Sequence, residues 1–254
     1  MDMKKVCLLG CGRLGKVIAN GLLKGSVENM ELTAVHVRSP GKGIPLAEEL
    51  RCPVVFTLKE LLNFCPDYVV EAAGNDAIRK YTLPILRAGS NIVALSTSAF
   101  GSPEFLQQVR EAAEKADRHI YLAPGVIGGL DTIQAAALMG NIRTVLTKRK
   151  FPSGSQHSDA SLDALADHFS GTAKDARLQY PDQLNIAVSL GLATKNPEAV
   201  EVRVEPGDCV DFTIAASGAF GKACFRVELG SAGPDLAAWS ALALLQRLGS
   251  RVSF

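Results

Sequence analysis

No stretch of this sequence is apolar for long enough to span a bilayer; Leu236–Leu245 and its like fall well short of the roughly 20 residues that a membrane helix needs. Nor is there an excess of charge of one sign. Lys and Arg number 27 against 26 Asp and Glu, a formal net charge of +1, so no global field recruits nucleic acid or a membrane surface. Cysteine pairs are missing as well: Cys7, Cys11, Cys52, Cys65, Cys209 and Cys224 are dispersed, with no CxxC among them. That pattern points to small buried hydrophobes in a reducing compartment, the cytoplasm. Histidines are scarce, and His36, His119, His157 and His168 have no ligand spacing among themselves, so no metal site is expected. The N-terminal Met-Asp-Met-Lys-Lys runs straight into a strand-like segment, without the apolar region and cleavage site of a secretory signal. What is present in quantity is core material, 47% hydrophobic residues against 21% charged.

The first half alternates strand and helix. Val6–Leu9 is a short apolar run ending in a glycine-rich turn, and Leu14, Val17, Ile18 and Leu22 then recur on one helical face. Leu32–Val37 reads as a second strand, and Pro53–Phe56 leads into a helix starting near Leu58. Tyr68–Ala73 and Asn91–Ser96 are near-continuous apolar runs, as in strands covered on both sides. Ser102-Pro103 is an N-cap followed by proline at the first helical position, and that helix runs to Asp117. His119–Leu122 closes the series as another strand. Such alternation predicts an α/β Rossmann domain, a doubly wound parallel sheet with helices on both faces.

Beyond Ala123 the character changes. A helix from Gly128-Gly129 to Met139 and a strand over Arg143–Lys150 precede the polar loop 152–157. Helices are predicted over Ser161–Phe169, Ala173–Leu178 and Leu184–Ala193. Ala199–Val204, Cys209–Ser217 and Lys222–Leu229 then alternate apolar and polar residues, joined by short turns, which argues for an antiparallel sheet with one exposed face. The expected organisation is a Rossmann domain over 1–123 and a smaller α+β domain over 124–230. The last segment, 231–254, carries a helix that packs back on the first domain.

The chemistry starts at Gly10-Cys11-Gly12-Arg13-Leu14-Gly15, a GxGxxG that follows a strand and opens a helix. Gly10 makes the tight turn, Gly12 lets backbone approach a pyrophosphate, and Gly15 lets helix pack on strand. The pyrophosphate then rests on helix N–H groups at the positive end of the dipole. At the tip of the second strand, where an acidic residue would hold the ribose 2′-OH of NAD, stand His36-Val37-Arg38-Ser39-Pro40-Gly41-Lys42. Arg38 and Ser39, with Lys42, are suited to a 2′-phosphate, so NADP is preferred over NAD; an exposed basic turn uses the same residue types. Ligands of open α/β sheets bind beyond the carboxyl ends of the strands, which adds Ala73, Gly74 and Asn75 after one strand and Ser96 and Thr97 after the next.

The stretches Gly10–Gly15, Glu71-Ala72-Ala73-Gly74, Ile120–Asp131, Gly171–Leu192 and Gly218–Gly221, with the closing Leu236–Leu245 helix, resemble the L-aspartate dehydrogenase family. The resemblance implies a Rossmann domain with a small α+β substrate domain, commonly assembled as a homodimer. It also implies reversible conversion of aspartate and NAD(P) to oxaloacetate, ammonia and NAD(P)H through iminosuccinate. By position it puts the Val126 backbone at the nicotinamide, Gln183 and Asn185 at the first and second asparagines of a family segment, with Gln183 suited to hydrogen-bond a carboxamide, and Asp131 at the acidic residue closing the IGGLD run. The chain departs from the pattern at Phe212, which stands where the family carries its acid/base histidine. It departs again at Ser231–Asp235, which replaces an Asn-Pro-Lys-Thr-Ser-like stretch.

Phenylalanine transfers no proton, and no histidine follows His168. A positioned proton donor contributes about 10²–10⁴-fold, so hydride transfer to an iminium, which already carries its proton, survives without one. Asp131, Asn185 and Lys150 are the candidate catalytic groups, with Tyr180 and His157 as further polar candidates. Lys148-Arg149-Lys150 reads either as a carboxylate anchor or as a solvated strand end. Phe212 shares a face with Val210 and Ile214 and reads as substrate-pocket lining. The leading expectation is an NAD(P)-dependent amino-acid dehydrogenase acting on a small molecule. An imine or carbonyl reductase for a less polar substrate, and a non-catalytic NADP-binding sensor or partner subunit, are the alternatives.

Overall fold

The computed structural model describes residues 3–153, 167–180, 184–196, 200–230 and 233–252. The chain divides into two compact units: Met1–Gly125 with Asp235–Phe254, and Val126–Pro234.

The first unit is a six-stranded parallel sheet in the order β3-β2-β1-β4-β5-β6. Its strands are β1 (Lys4–Leu9), β2 (Met30–His36), β3 (Val54–Val55), β4 (Tyr68–Glu71), β5 (Asn91–Ala94) and β6 (Ile120–Leu122). The connecting helices are α1 (Arg13–Leu23), α2 (Pro40–Leu50), α3 (Leu58–Leu62), α4 (Asn75–Arg87) and α5 (Pro103–Ala116), with a 3-10 turn over Thr97–Gly101. Central strands are apolar throughout because helices cover both faces; Val6, Cys7, Leu8 and Leu9 are all buried. Local signals set the helix starts. The Thr57 hydroxyl accepts from the Glu60 N–H while the Glu60 carboxylate accepts from Thr57 N–H, a reciprocal cap for α3. Ser102 accepts from Phe105 N–H to cap α5, with Pro103 at its first position.

The C-terminal helix α9 (Leu236–Gly249) belongs to this unit. Ala238, Ala241, Leu242 and Leu245 are buried in one cluster with Ile18, Ala19 and Leu22 of α1 and with Val6, Leu8 and Val35 of the sheet. Burying each such leucine contributes about 1.5–3 kcal/mol, which fixes α9 on α1. The Gly125 N–H donates to Ser240 Oγ at 3.0 Å, tying the turn after β6 to α9.

Two helices lie where sequence reading marks no helix. Ser39-Pro40 starts α2 with the same serine–proline pair as Ser102-Pro103, though without a side-chain cap, and Gly41, Gly43 and Pro45 mask its periodicity. In α4, Pro84 does the same.

The second unit is a five-stranded sheet in the order β11-β10-β7-β9-β8, formed by β7 (Ile142–Lys150), β8 (Phe169–Thr172), β9 (Val200–Pro206), β10 (Val210–Gly218) and β11 (Gly221–Leu229). Its helices are α6 (Leu130–Met139), α7 (Ala173–Gln179) and α8 (Asn185–Ala193). The sheet is mixed rather than the antiparallel series expected from the three last strands. β10 pairs antiparallel with β11 and β7, but β9 runs parallel to β7 on its other side and never meets β10. The long crossover between β7 and β9 makes that parallel pairing possible, as a hairpin could not. The helix expected over Ser161–Phe169 lies largely outside the described residues, and its end, Phe169, begins β8 instead. Phe169 there pairs with Val204 and meets Tyr180 edge-on at 6.1 Å, which favours the strand.

One sheet face is apolar and buried, carrying Leu146, Val202, Val204, Phe212 and Ile214. The other carries alternating charges: Arg143 with Glu201, Arg149 with Glu205, and Asp211 with Arg149 and Arg226.

Candidate functional site: a dinucleotide cradle and a lysine-bearing sheet face

In the first unit the glycine loop leaves β1 and enters α1. Gly10 sits at φ +94°, a backbone that a side chain resists, and a Cβ there would lie 2.6 Å from the Ala73 Cβ. At Gly15 a Cβ would lie 2.4 Å from the Gly10 carbonyl oxygen, so the helix closes on the turn only without one. Gly12 differs: nothing lies within 4 Å of its missing side chain, and it is exposed. The first two glycines fit the protein to itself, and the third leaves room for something else. Gly12 caps α1 without a side-chain hydrogen bond, and the first turn holds no acidic residue. A helix start of that kind offers N–H groups and positive potential to an anion.

Arg13 is exposed beside this turn and pairs with Asp235 at the start of α9. Cys11 is half-buried, and burial pushes its thiol up to about 11, so it stays neutral in the loop. Leu14 packs against the core.

The Gly10 N–H donates to the His36 carbonyl at 3.0 Å, which sets the end of β2 beside the loop. His36 is buried with its ring edge-on to Tyr81 at 5.9 Å, and burial holds its pKa below the usual value, so it is neutral. The chain emerges at Arg38 and Ser39, both exposed, with Ser39 capping α2 without a side-chain hydrogen bond.

Ala73, Gly74 and Asn75 follow β4, and Ser96 and Thr97 follow β5, on the same edge of the sheet. Ala73 is exposed while Asn75, Ser96 and Thr97 are buried. The Asn75 Oδ1 accepts from Ala99 N–H at 3.0 Å. Beneath both turns lies Glu71, 1% exposed, to which sequence reading assigns no role. The signal was available: an acid ending the run Tyr68-Val69-Val70-Glu71 is costly unless its carboxylate is satisfied.

In the second unit the candidates fall on several elements. Val126 is half-buried at its first position. Asp131 is exposed in the first turn of α6, after Gly129, whose φ of +77° and approach to the Phe225 ring exclude a side chain. Asn185 is the first residue of α8. Gln183, and His157 with it, lie outside the described residues. His168 is exposed.

On the buried sheet face, Phe212 stands directly opposite Lys148 in the β10–β7 ladder, with the Lys148 Nζ 5.9 Å from the ring centroid. Phe212 is 6% and Lys148 8% exposed. An ammonium so placed is attracted by the ring face and shielded from water. Lys150, two residues on, is 1% exposed and not a solvated strand end. Its Nζ donates to Ser153 Oγ and pairs with the Asp167 carboxylate, each at 3.1 Å. The carboxylate it holds here is the chain's own.

The Ser153 hydroxyl and then Lys150 hold the Asp167 carboxyl down at about 2. An unfolded aspartate titrates near ~3.9, so this pairing stabilises the fold above that pH and is lost as pH falls toward 2. Asp167→Asn should therefore lower the melting temperature at pH 7, and the gap from wild type should close between about pH 4 and pH 2. Thermal melts by circular dichroism across that range check this; a gap independent of pH would disprove the pairing.

Comparison with known proteins decides the lineage. Residues 10–123 match the model of the homoserine dehydrogenase NAD-binding domain, and residues 131–248 match that of the aspartate dehydrogenase C-terminal domain. L-aspartate dehydrogenase of Ruegeria pomeroyi is 32% identical, over 98% of this chain and 93% of that protein. The chain belongs to the L-aspartate dehydrogenase family. L-aspartate dehydrogenase of Methanospirillum hungatei is 31% identical over 98% of both chains. Aspartate dehydrogenase of Thermotoga maritima shares the fold, with a TM-score of 0.76 at 23% identity over the whole of both chains. Family membership places the chain among the oxidoreductases, with its glycine loop inside the matched dinucleotide-binding region.

Proposed function

We propose that this protein is an NADP-preferring amino-acid dehydrogenase of the L-aspartate type, moving a hydride between the nicotinamide and the α-carbon of an amino or imino acid. The observation that carries the cofactor half is the open space at Gly12, beside an uncapped α1 start free of acidic residues. That cradle fits a pyrophosphate, held by the backbone of residues 10–15 with Arg13 beside it. Exposed Arg38 and Ser39 fit a 2′-phosphate, and neutral His36 adds no competing charge. Ala73, Gly74, Asn75, Ser96 and Thr97 would line the nicotinamide side, and the family resemblance assigns the Val126 backbone and Gln183 to cofactor binding. The dinucleotide supplies the hydride, and the protein's task is to orient and to manage charge and protons.

In the second unit we assign that task to Asn185 and Asp131 as polar groups, with Lys150 as a buried cation whose hold on Asp167 fixes the end of β7. Six unpaired cysteines support a reducing, cytoplasmic setting, and the family resemblance implies a homodimer.

One observation favours a second reading. Phe212 and Ile214 make an apolar floor on the buried sheet face, which suits an imine or carbonyl substrate less polar than aspartate. Following reduced-cofactor absorbance with oxaloacetate plus ammonium, then with apolar keto acids and imines, separates the two. Turnover is expected on the first mixture with NADPH. Turnover only on apolar substrates establishes the second reading. Tight NADPH binding without turnover on any substrate leaves a sensor or partner subunit.

A further inference from the structure

We propose that Glu71 is a positioning residue for the nicotinamide half of the cofactor site, clamping the turns after β4 and β5 into a single wall. This rests on the dinucleotide reading above. One carboxylate oxygen accepts the N–H groups of Ala73 at 2.6 Å and Gly74 at 2.7 Å together with the Ser96 hydroxyl at 3.0 Å. The other accepts the Ser96 N–H at 3.0 Å. Every contact donates to the carboxylate, so the site is built around its ionised form. Burial lifts its pKa, and the Ser96, Ala73 and Gly74 donors pull back against that.

The geometry it holds is not one the chain adopts unaided. Gly74 sits at φ +102° and ψ 170°, a region nearly closed to other residues, and begins α4 there. Ala73 is held so close to the glycine loop that a Cβ at Gly10 would overlap its own. This junction lies between β1 and β4, where the sheet order reverses its direction of growth and where ligands of such sheets bind. The β2 side of that point takes the adenosine half of a dinucleotide, and the β4–β5 side takes the other half. The hydrogen bonds of the Glu71 carboxylate go to Ala73, Gly74 and Ser96, on the β4–β5 side.

The test is calorimetric binding of NADPH and NADH, and of the adenine-side fragments 2′,5′-ADP and ADP-ribose, to wild type, Glu71→Gln, Glu71→Asp and Ser96→Ala. In Glu71→Gln an amide nitrogen replaces one acceptor and faces N–H donors. The reduced dinucleotides should then bind roughly tenfold more weakly or worse, while the fragments stay within about twofold. Turnover number should fall with little change in the KM of the amino or keto acid. Glu71→Asp, which keeps the charge but loses reach, should lie between. Should Glu71→Gln not fold, Ser96→Ala, which removes a single donor, should show the same split at about threefold. A purely structural role would weaken fragments and dinucleotides alike, and that result, or no change in either, overturns the assignment. Wild type binding the fragments but neither reduced dinucleotide overturns the dinucleotide reading and this assignment together.

Discussion

Phe212→His is expected to raise NADP-linked oxidation of aspartate by at least about 10²-fold, the lower end of what a positioned acid/base group contributes. The site already carries the conditions that such a histidine needs. Position 212 is buried on β10 and faces Lys148 across the ladder. An imidazole there would have both burial and the Lys148 charge pushing its pKa down, so it would be neutral at pH 7 and able to accept a proton. Activity should therefore persist toward lower pH than an ordinary histidine base allows. The substitution removes the ring beneath the Lys148 ammonium and adds a polar group, at a cost of about 1–3 kcal/mol in stability. Steady-state rates from pH 5.5 to 8.5, alongside denaturant unfolding, separate gain of function from loss of fold. If dinucleotide binding is intact and the rate does not rise, the proton leaves by another route and the less polar substrate becomes the better reading.

How much of this was legible beforehand differs between the two units. In the first, each strand is a local apolar run, and the candidate cofactor loops sit at strand ends, so they could be named residue by residue. What sequence missed there is instructive. Helix α2 carries Pro40, Gly41, Gly43 and Pro45, each a poor helix former, and is held by its start signal and by Leu46 and Leu50 in the core. Glu71 was visible only as an acid at the end of an apolar run, and its partners, Ser96 above all, are 25 residues away. In the second unit the alternation of Val200, Val202 and Val204 was plain, yet it says nothing of neighbours. The insertion of β7 between β9 and β10 is a long-range choice that no window of residues contains. Alternation also puts Lys148 and Lys150 on the face of Leu146, which argues for burial; their charge argues for solvent, and the partners Phe212 and Asp167 decide for burial.

Replacing Arg38 by aspartate should reverse cofactor choice, shifting the ratio of kcat/KM for NADPH over NADH by about 10²–10³-fold. Arg38 is exposed at the tip of β2, one residue before the Ser39 cap of α2. A guanidinium there forms a charge-assisted hydrogen bond with a 2′-phosphate, and each such bond contributes about 1.5–3 kcal/mol, or roughly 10–150-fold. Aspartate removes that bond and repels the phosphate, while accepting from the ribose 2′-OH that NADH presents. The two effects act in opposite directions on the two cofactors, so they multiply in the ratio. Because position 38 is open to water, the fold should tolerate the change within about 0.5 kcal/mol. Salt discriminates further: the NADPH preference proposed for the wild type should weaken as ionic strength rises, and so should the part of the variant's NADH preference that comes from repulsion of the 2′-phosphate, since both exposed charge interactions are screened. The hydrogen bond to the ribose 2′-OH should persist. A wild type that already favours NADH, or a variant whose ratio is unchanged, would remove Arg38 from the cofactor site and leave it an exposed basic turn.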